Sequence, residues 1–204
     1  MRVESRNVAI LIFGGVELLD FCGPFEVFSI AGRRREVPPF NVYTVADRPG
    51  PVLTRNGLSV HPHFSLGDDP TPAVLVVPGG YGVRQVMTDE AVLGWVRSRA
   101  QTAELVLSVC TGSLLLGRAG LLEDRAATTH HSALSELPMA APGVVIREAE
   151  RFVDNGDLIS SAGIAAGIDA ALYTVARLLG QEAAAEAARH MEYDWKPEHR
   201  LRNE

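Results

Sequence analysis

The tightest constraint on this chain is a pair of uninterrupted apolar runs, Val8-Ala-Ile-Leu-Ile-Phe13 and Val74-Leu-Val-Val77. A strand with one wet face alternates apolar and polar residues. A strand covered on both faces does not, so both runs read as central parallel strands sandwiched between helices. Strand-like stretches at Phe40–Ala46, Ala73–Val77, Glu104–Val109 and Ala126–Thr129 continue the pattern. Helical segments near Gly23–Gly32, Asp89–Ala100 and Thr111–Leu122 would supply the crossovers of an α/β fold. Asn56-Gly57 and Asn155-Gly156 each lie between short strand-like runs, a dipeptide that suits tight hairpins, and both hairpins are expected at the edge or end of the sheet. Ile168–Leu179 has apolar residues at helical spacing until Gly180 stops it, and Gln181–Met191 reads as an Ala-rich second helix.

Size and charge narrow the classes. A chain of 204 residues can bury roughly 70% of its unfolded surface, which suggests one domain over residues 1–204. With 19 Lys+Arg against 25 Asp+Glu the net charge is −6, which argues against a basic nucleic-acid-binding face or a polybasic membrane surface. The apolar run after the polar Met1–Asn7 start is too short for a signal core or a membrane span, so a cytoplasmic protein is expected. The two cysteines, Cys22 and Cys110, form no CxxC pair, and His61 and His63 lack a third ligand partner. Neither a disulfide framework nor a metal site is therefore expected.

Ligands in open parallel sheets collect beyond the carboxyl ends of the strands, so the residues just after each strand matter most. The first strand runs into Gly14-Gly15-Val16-Glu17-Leu18-Leu19-Asp20, the third into Pro78-Gly79-Gly80, and the fourth into Ser108-Val109-Cys110-Thr111-Gly112. Small residues two positions either side of Cys110 fit a nucleophile elbow, whose tight strand-to-helix turn leaves no room for bulk there. A thiol at a helix start would be expected to favour the thiolate. The plainer reading is a buried cysteine serving as a small hydrophobe, and Cys22, in an apolar helix, reads that way. Asp20 and Glu17 are either first-turn helix acids or chemical groups facing the thiol. Gly79-Gly80 either makes a tight turn or offers backbone amides to a developing anion. His130, beyond the strand-like Ala126–Thr129, is a candidate to reach the thiol.

Taken together, Gly14–Pro24, Val77–Gly80, Ser108–Gly112, Ala127–His130 and Ser161–Asp169 resemble the ThiJ/PfpI superfamily in order and spacing, over nearly the whole chain. Within it the acid-Phe-x-Gly-Pro and Cys-Thr-Gly forms are most similar to isonitrile hydratases and to the sensor domains of AraC-type regulators. The resemblance implies a flavodoxin-like three-layer sandwich with a mostly parallel central sheet, akin to class I glutamine amidotransferases, and a homodimer. It further implies Cys110 as nucleophile, Asp20 and Thr111 as its catalytic partners, and Gly79, Gly80, His130 and Ile164 as substrate-binding positions. No metal or organic cofactor is implied, and the partner is a small molecule rather than nucleic acid or membrane.

Departures from the family pattern separate its branches. Thr111 stands where the protease members carry His, and Asp20 where glyoxalase- and deglycase-like members carry Glu. The shorter acid changes reach by roughly an ångström, which matters for groups that must meet at about 2.6–3.2 Å. The chain's end at Glu204 leaves no expected helix-turn-helix, and no Cys-His-Glu triad is evident. The expectation is hydration of an isonitrile to a formamide, with Asp20 as general acid and base and a thioimidate on Cys110. An α-dicarbonyl-directed enzyme, or a redox or ligand sensor built on Cys110, are the alternatives.

Overall fold

A computed structural model describes residues 5–197; the first four residues and the last seven, including the Glu204 end, lie outside the described residues. The apolar runs form the middle of a seven-stranded sheet. Its strands are β1 (Arg6–Leu11), β2 (Phe40–Ala46), β5 (Phe64–Ser65), β6 (Val74–Val77), β7 (Leu105–Val109), β10 (Phe152–Asp154) and β11 (Leu158–Ser161). Two short pairs stand apart from it, β3 (Val52–Leu53) with β4 (Ser59–Val60), and β8 (Ala126–Ala127) with β9 (Val145–Ile146). The helices are α1 (Leu18–Ile30), α2 (Val83–Val86), α3 (Glu90–Thr102), α4 (Gly112–Arg118), α5 (Leu137–Ala140), α6 (Ala166–Leu179) and α7 (Gln181–His190), with a 3-10 turn at His131–Ala133.

The sheet order is β10-β11-β7-β6-β1-β2-β5, parallel throughout except for the β10–β11 hairpin. Val8 pairs with both Val42 and Val74, and Val77 with Ser108. Helices α1, α6 and α7 pack together on one face and α2 to α5 on the other, giving the three-layer flavodoxin-like sandwich. Coverage on both faces is why the consecutive residues Val8, Ala9 and Ile10, and likewise Val74, Leu75 and Val76, are all wholly buried although neighbours in a strand point to opposite sides. No described helix is long and apolar enough to cross a membrane.

The chain leaves β1 toward β2 and β5, then returns to place β6 on the other side of β1, so the direction of winding reverses between β1 and β6. Crevices of open α/β sheets lie at such a reversal. The Asn155-Gly156 hairpin closes the sheet's edge as expected, with Asn155 N–H donating to the Leu158 carbonyl at 2.9 Å. The Asn56-Gly57 hairpin lies at the end of the sheet, as expected, but forms a separate two-stranded pair rather than extending the main sheet. Its two-residue strands leave backbone groups free, and these pair with the loop after β1: Gly15 N–H with the Leu53 carbonyl at 2.8 Å and Arg55 N–H with that of Val16 at 2.9 Å. Ala126–Thr129 likewise contributes only the short β8, outside the main sheet. Helix α1 begins five residues before the expected Gly23 and carries Pro24 inside it, where the missing N–H leaves the Asp20 carbonyl without its helical donor.

Candidate active site

Cys110 follows β7 directly and has φ +57°, in the left-handed region that L-residues rarely occupy. That turn is the elbow. A Cβ on Gly112 would lie 2.0 Å from the Val77 carbonyl oxygen, so only glycine lets α4 start this close to β6. The Cys110 amide donates to the carbonyls of Ser161 and Ala162 at 3.2 Å, and its own carbonyl accepts the Thr129 hydroxyl at 3.0 Å. The elbow is thus tied to the β11 end and to the segment after β8.

Asp20, in the first turn of α1, is wholly buried and does not cap its helix. Its Oδ2 accepts the Gly79 N–H at 3.1 Å, while Oδ1 is buried with no well-formed hydrogen bond. The neighbouring titratable group is the Cys110 thiol, and each moves the other. Burial pushes Asp20 up to about 7 despite the opposing contacts with Cys110 and Gly79. Burial, reinforced by the Asp20 charge, pushes the Cys110 thiol up to about 12, although the Thr111 and Ile164 amides favour the thiolate. This corrects the expectation of a thiol activated by its helix start: for a thiol this buried, desolvation outweighs the amides. The two groups titrate as a pair.

At Gly79-Gly80 the contacts favour the tight-turn reading over the free-amide one. The Gly79 amide is bound to Asp20, and the Gly80 amide donates to the Thr111 hydroxyl at 3.0 Å, so neither is free for an anion. A Cβ on Gly79 would sit 2.5 Å from Thr111 N and Oγ1, which explains why this turn must lack side chains. The Thr111 hydroxyl is therefore committed to Gly80, and its amide is the group directed at the sulfur.

A cavity of about 140 Å³ opens above the thiol, lined by Cys110, Thr111, Gly80, His130, Ile164, Glu17, Arg55, Tyr81, Arg84 and Ser132. Asp20 and Gly79 do not line it; they lie beneath. His130 Nδ1 accepts the Ser132 amide at 3.2 Å and contacts its hydroxyl at 2.8 Å. Burial, with help from His131 and Arg55, lowers the His130 pKa and keeps the ring neutral near pH 7. Ile164 contributes its side chain to the wall and has φ +51°.

Arg55, Tyr81, Arg84 and Ser132 were not legible as site residues. Arg55 donates to Glu17 Oε2 at 2.9 Å and lies 4.0 Å from the centroid of the Tyr81 ring. The one available signal was the Asn56-Gly57 turn beside Arg55, and sequence does not reveal that this hairpin folds over the end of β1. Cys22 is half-buried in α1, and burial raises its pKa, in keeping with a structural role.

The sequence pattern of the DJ-1/PfpI family matches residues 6–177. Isonitrile hydratase of Pseudomonas putida is 38% identical over 189 residues, covering 93% of this chain and 79% of that one. The HTH-type transcriptional regulator CdhR of Pseudomonas aeruginosa is 28% identical over 90% of this chain, which spans only 54% of the regulator. Among solved structures, a ThiJ/PfpI family protein from Pseudomonas syringae superposes with a TM-score of 0.85 at 34% identity, over 96% of this chain and 78% of that chain.

Proposed function

The chain belongs to the DJ-1/PfpI family, and on that premise we propose that it is an isonitrile hydratase, converting R–NC and water to an N-substituted formamide. The observation that carries this reading is the buried pair itself: a thiol at an elbow beside a carboxyl whose Oδ1 has no other well-formed partner and whose pKa lies near neutrality.

The terminal carbon of an isonitrile must accept both a proton and a nucleophile. In the form of the pair that holds one proton, Asp20 takes the thiol proton and passes it to that carbon. The sulfur of Cys110 bonds to the same carbon, giving R–N=CH–S–Cys110. Asp20 is then an anion and serves as base for the attacking water. One water proton reaches the nitrogen, the C–S bond breaks, and the other returns to the thiol as R–NH–CHO leaves. Because Asp20 is buried and does not line the cavity, both transfers require the substrate carbon, and then the water, to come within reach of its carboxyl beside the sulfur. The Thr111 and Ile164 amides hold the sulfur in place, and His130 and Ile164 wall the approach.

A redox sensor calls for an exposed thiol of low pKa, the opposite of Cys110. The test is formamide release from cyclohexyl isocyanide by the wild type, Cys110→Ala and Asp20→Asn, with methylglyoxal as parallel substrate. Turnover of the isonitrile that disappears in both variants supports the reading. No turnover by folded wild type sinks it, and lactate from methylglyoxal would replace it with the dicarbonyl activity. Under the same reading the enzyme acts in the cytoplasm as a homodimer, which light scattering of the purified protein tests.

A further inference from the structure

The walls of the cavity are mixed, with polar groups beside the apolar ones rather than hydrocarbon throughout. Above Cys110 and Ile164 they carry Arg55, Arg84, Glu17, His130, Ser132 and Tyr81. A plain alkyl substituent would strip water from these groups and return no hydrogen bond, a costly exchange. At about 140 Å³ the space also suits a small molecule rather than a bulky one.

The polar groups differ in how far they are already engaged. Arg84 directs both Nε and Nη2 at Glu136, so one whole edge of its guanidinium is taken. Arg55 donates only from Nη1, to Glu17 Oε2, while its plane rests on the Tyr81 ring. No other hydrogen bond to the Arg55 guanidinium occurs among the described residues. A guanidinium has five N–H donors in a rigid fork, and one edge of Arg55 therefore remains for a ligand. Glu17 and Tyr81 fix the plane of that fork in advance, and Glu17, almost wholly buried, balances its charge. His130 adds a second donor: accepting at Nδ1 from Ser132 places its proton on Nε2, which has no hydrogen-bond partner among the described residues. Free donors of this kind, with the one carboxylate of the wall already bound, match an acceptor-rich anionic group.

Resting on the hydratase reading above, we propose that the natural substrate is a small isonitrile whose substituent ends in a carboxylate, gripped by the free edge of Arg55. Arg55 is in this sense the residue that sets specificity, with Tyr81 and Glu17 positioning it. The isonitrile carbon lies at the sulfur and the carboxylate toward the mouth, a fork-to-carboxylate contact of the strong, charge-assisted kind.

The experiment compares isocyanoacetate with its neutral methyl ester, in wild type, Arg55→Met and Arg55→Lys, each checked for folding by thermal melting. The wild type is expected to favour the carboxylate in kcat/KM by at least about tenfold, chiefly through KM. Arg55→Met should bring that ratio to about one or below, and Arg55→Lys should restore part of it. A wild type that favours the ester, or a carboxylate preference that survives in Arg55→Met, overturns the proposal while the hydratase reading stands. If folded wild type turns over no isonitrile, the hydratase reading falls, and a second measurement decides the subsite. N-formylglycinate should bind the wild type at least about tenfold more tightly than it binds Arg55→Met, read by isothermal titration calorimetry. No binding to the wild type, or equal binding to both, overturns the carboxylate subsite as well.

Discussion

Asp20 and Asp69 are both buried carboxyls, and their surroundings pull them in opposite directions. At Asp69 burial alone would raise the pKa, but hydrogen bonds from Arg99 and Trp95 and the Arg99 charge reverse it, and the carboxyl ends below the usual range. Its oxygens receive Arg99 Nη2 at 2.8 Å, Arg99 Nε at 3.0 Å and Trp95 Nε1 at 2.9 Å. Asp20 has a single backbone amide and no counter-charge in hydrogen-bond contact. The contrast teaches that the fold satisfies a carboxyl where it serves architecture and leaves one unsatisfied beside the thiol, where the proposed proton transfer takes place. A residue in that second condition is held at a cost in stability.

The largest way to test this contrast is through activity. Asp20→Asn should lower kcat/KM for an isonitrile at least about 1000-fold, since an amide cannot shuttle the proton. Asp69→Asn, measured in the same assay on folded protein, should leave the chemical step much less affected because Asp69 lies away from the cavity lining. Equal losses in both would break the comparison.

Stability should reverse the ranking. Asp69→Asn leaves Arg99 without its charge partner in a part-buried position and should cost about 3 kcal/mol, or a Tm lower by about 6–12 °C. Asp20→Asn should instead raise the Tm at pH 8, by the few degrees that about 2 kcal/mol gives in a chain of this size. The sign follows from linkage. Asp20 titrates higher folded than unfolded, so its contribution is complete below about 4 and lost as the pH rises through about 7. The gain from Asp20→Asn should therefore shrink toward zero near pH 4. Asp69, with its lowered pKa, contributes above about 4 and loses that contribution as the pH falls through its folded value. Melting curves of the wild type and both variants between pH 4 and 8 read both trends; a Tm fall for Asp20→Asn at pH 8 would refute the account of strain.

The remaining expected effect lies in the pH dependence of the wild-type rate. With Asp20 titrating near 7, kcat/KM should rise by about tenfold per pH unit on the acid side and level off above about 7, as the pair gives up its second proton. A profile flat from pH 5 to 8 would place the working proton elsewhere.

Much of the fold and of the proposed reacting pair was legible in the amino-acid sequence. Unbroken apolar runs at Val8–Phe13 and Val74–Val77 can be satisfied only by burial on both faces, and small residues around Cys110 suit a turn of one shape. The family pattern then located Asp20, Thr111 and the glycine turn. Less legible were properties that depend on distance between segments far apart in sequence. The Asn56-Gly57 signal fixes a hairpin but not its docking, so Arg55 and the Tyr81 contact stayed hidden. The amides of Gly79 and Gly80, free in one reading of that turn, are instead bound to Asp20 and Thr111, a matter of which acceptor the fold brings within 3.1 Å.

The sequence by itself determined the central strands, their crossovers and the elbow at Cys110, because apolar periodicity and steric demands at a turn act between near neighbours, and the family resemblance singled out Asp20 as the thiol's proposed partner. Only the tertiary structure decided how that pair titrates, which amides stay free and what the cavity wall presents. Desolvation and hydrogen bonding are set by everything packed around a group, and at Cys110 that surrounding outweighed the local helix start that pointed the other way.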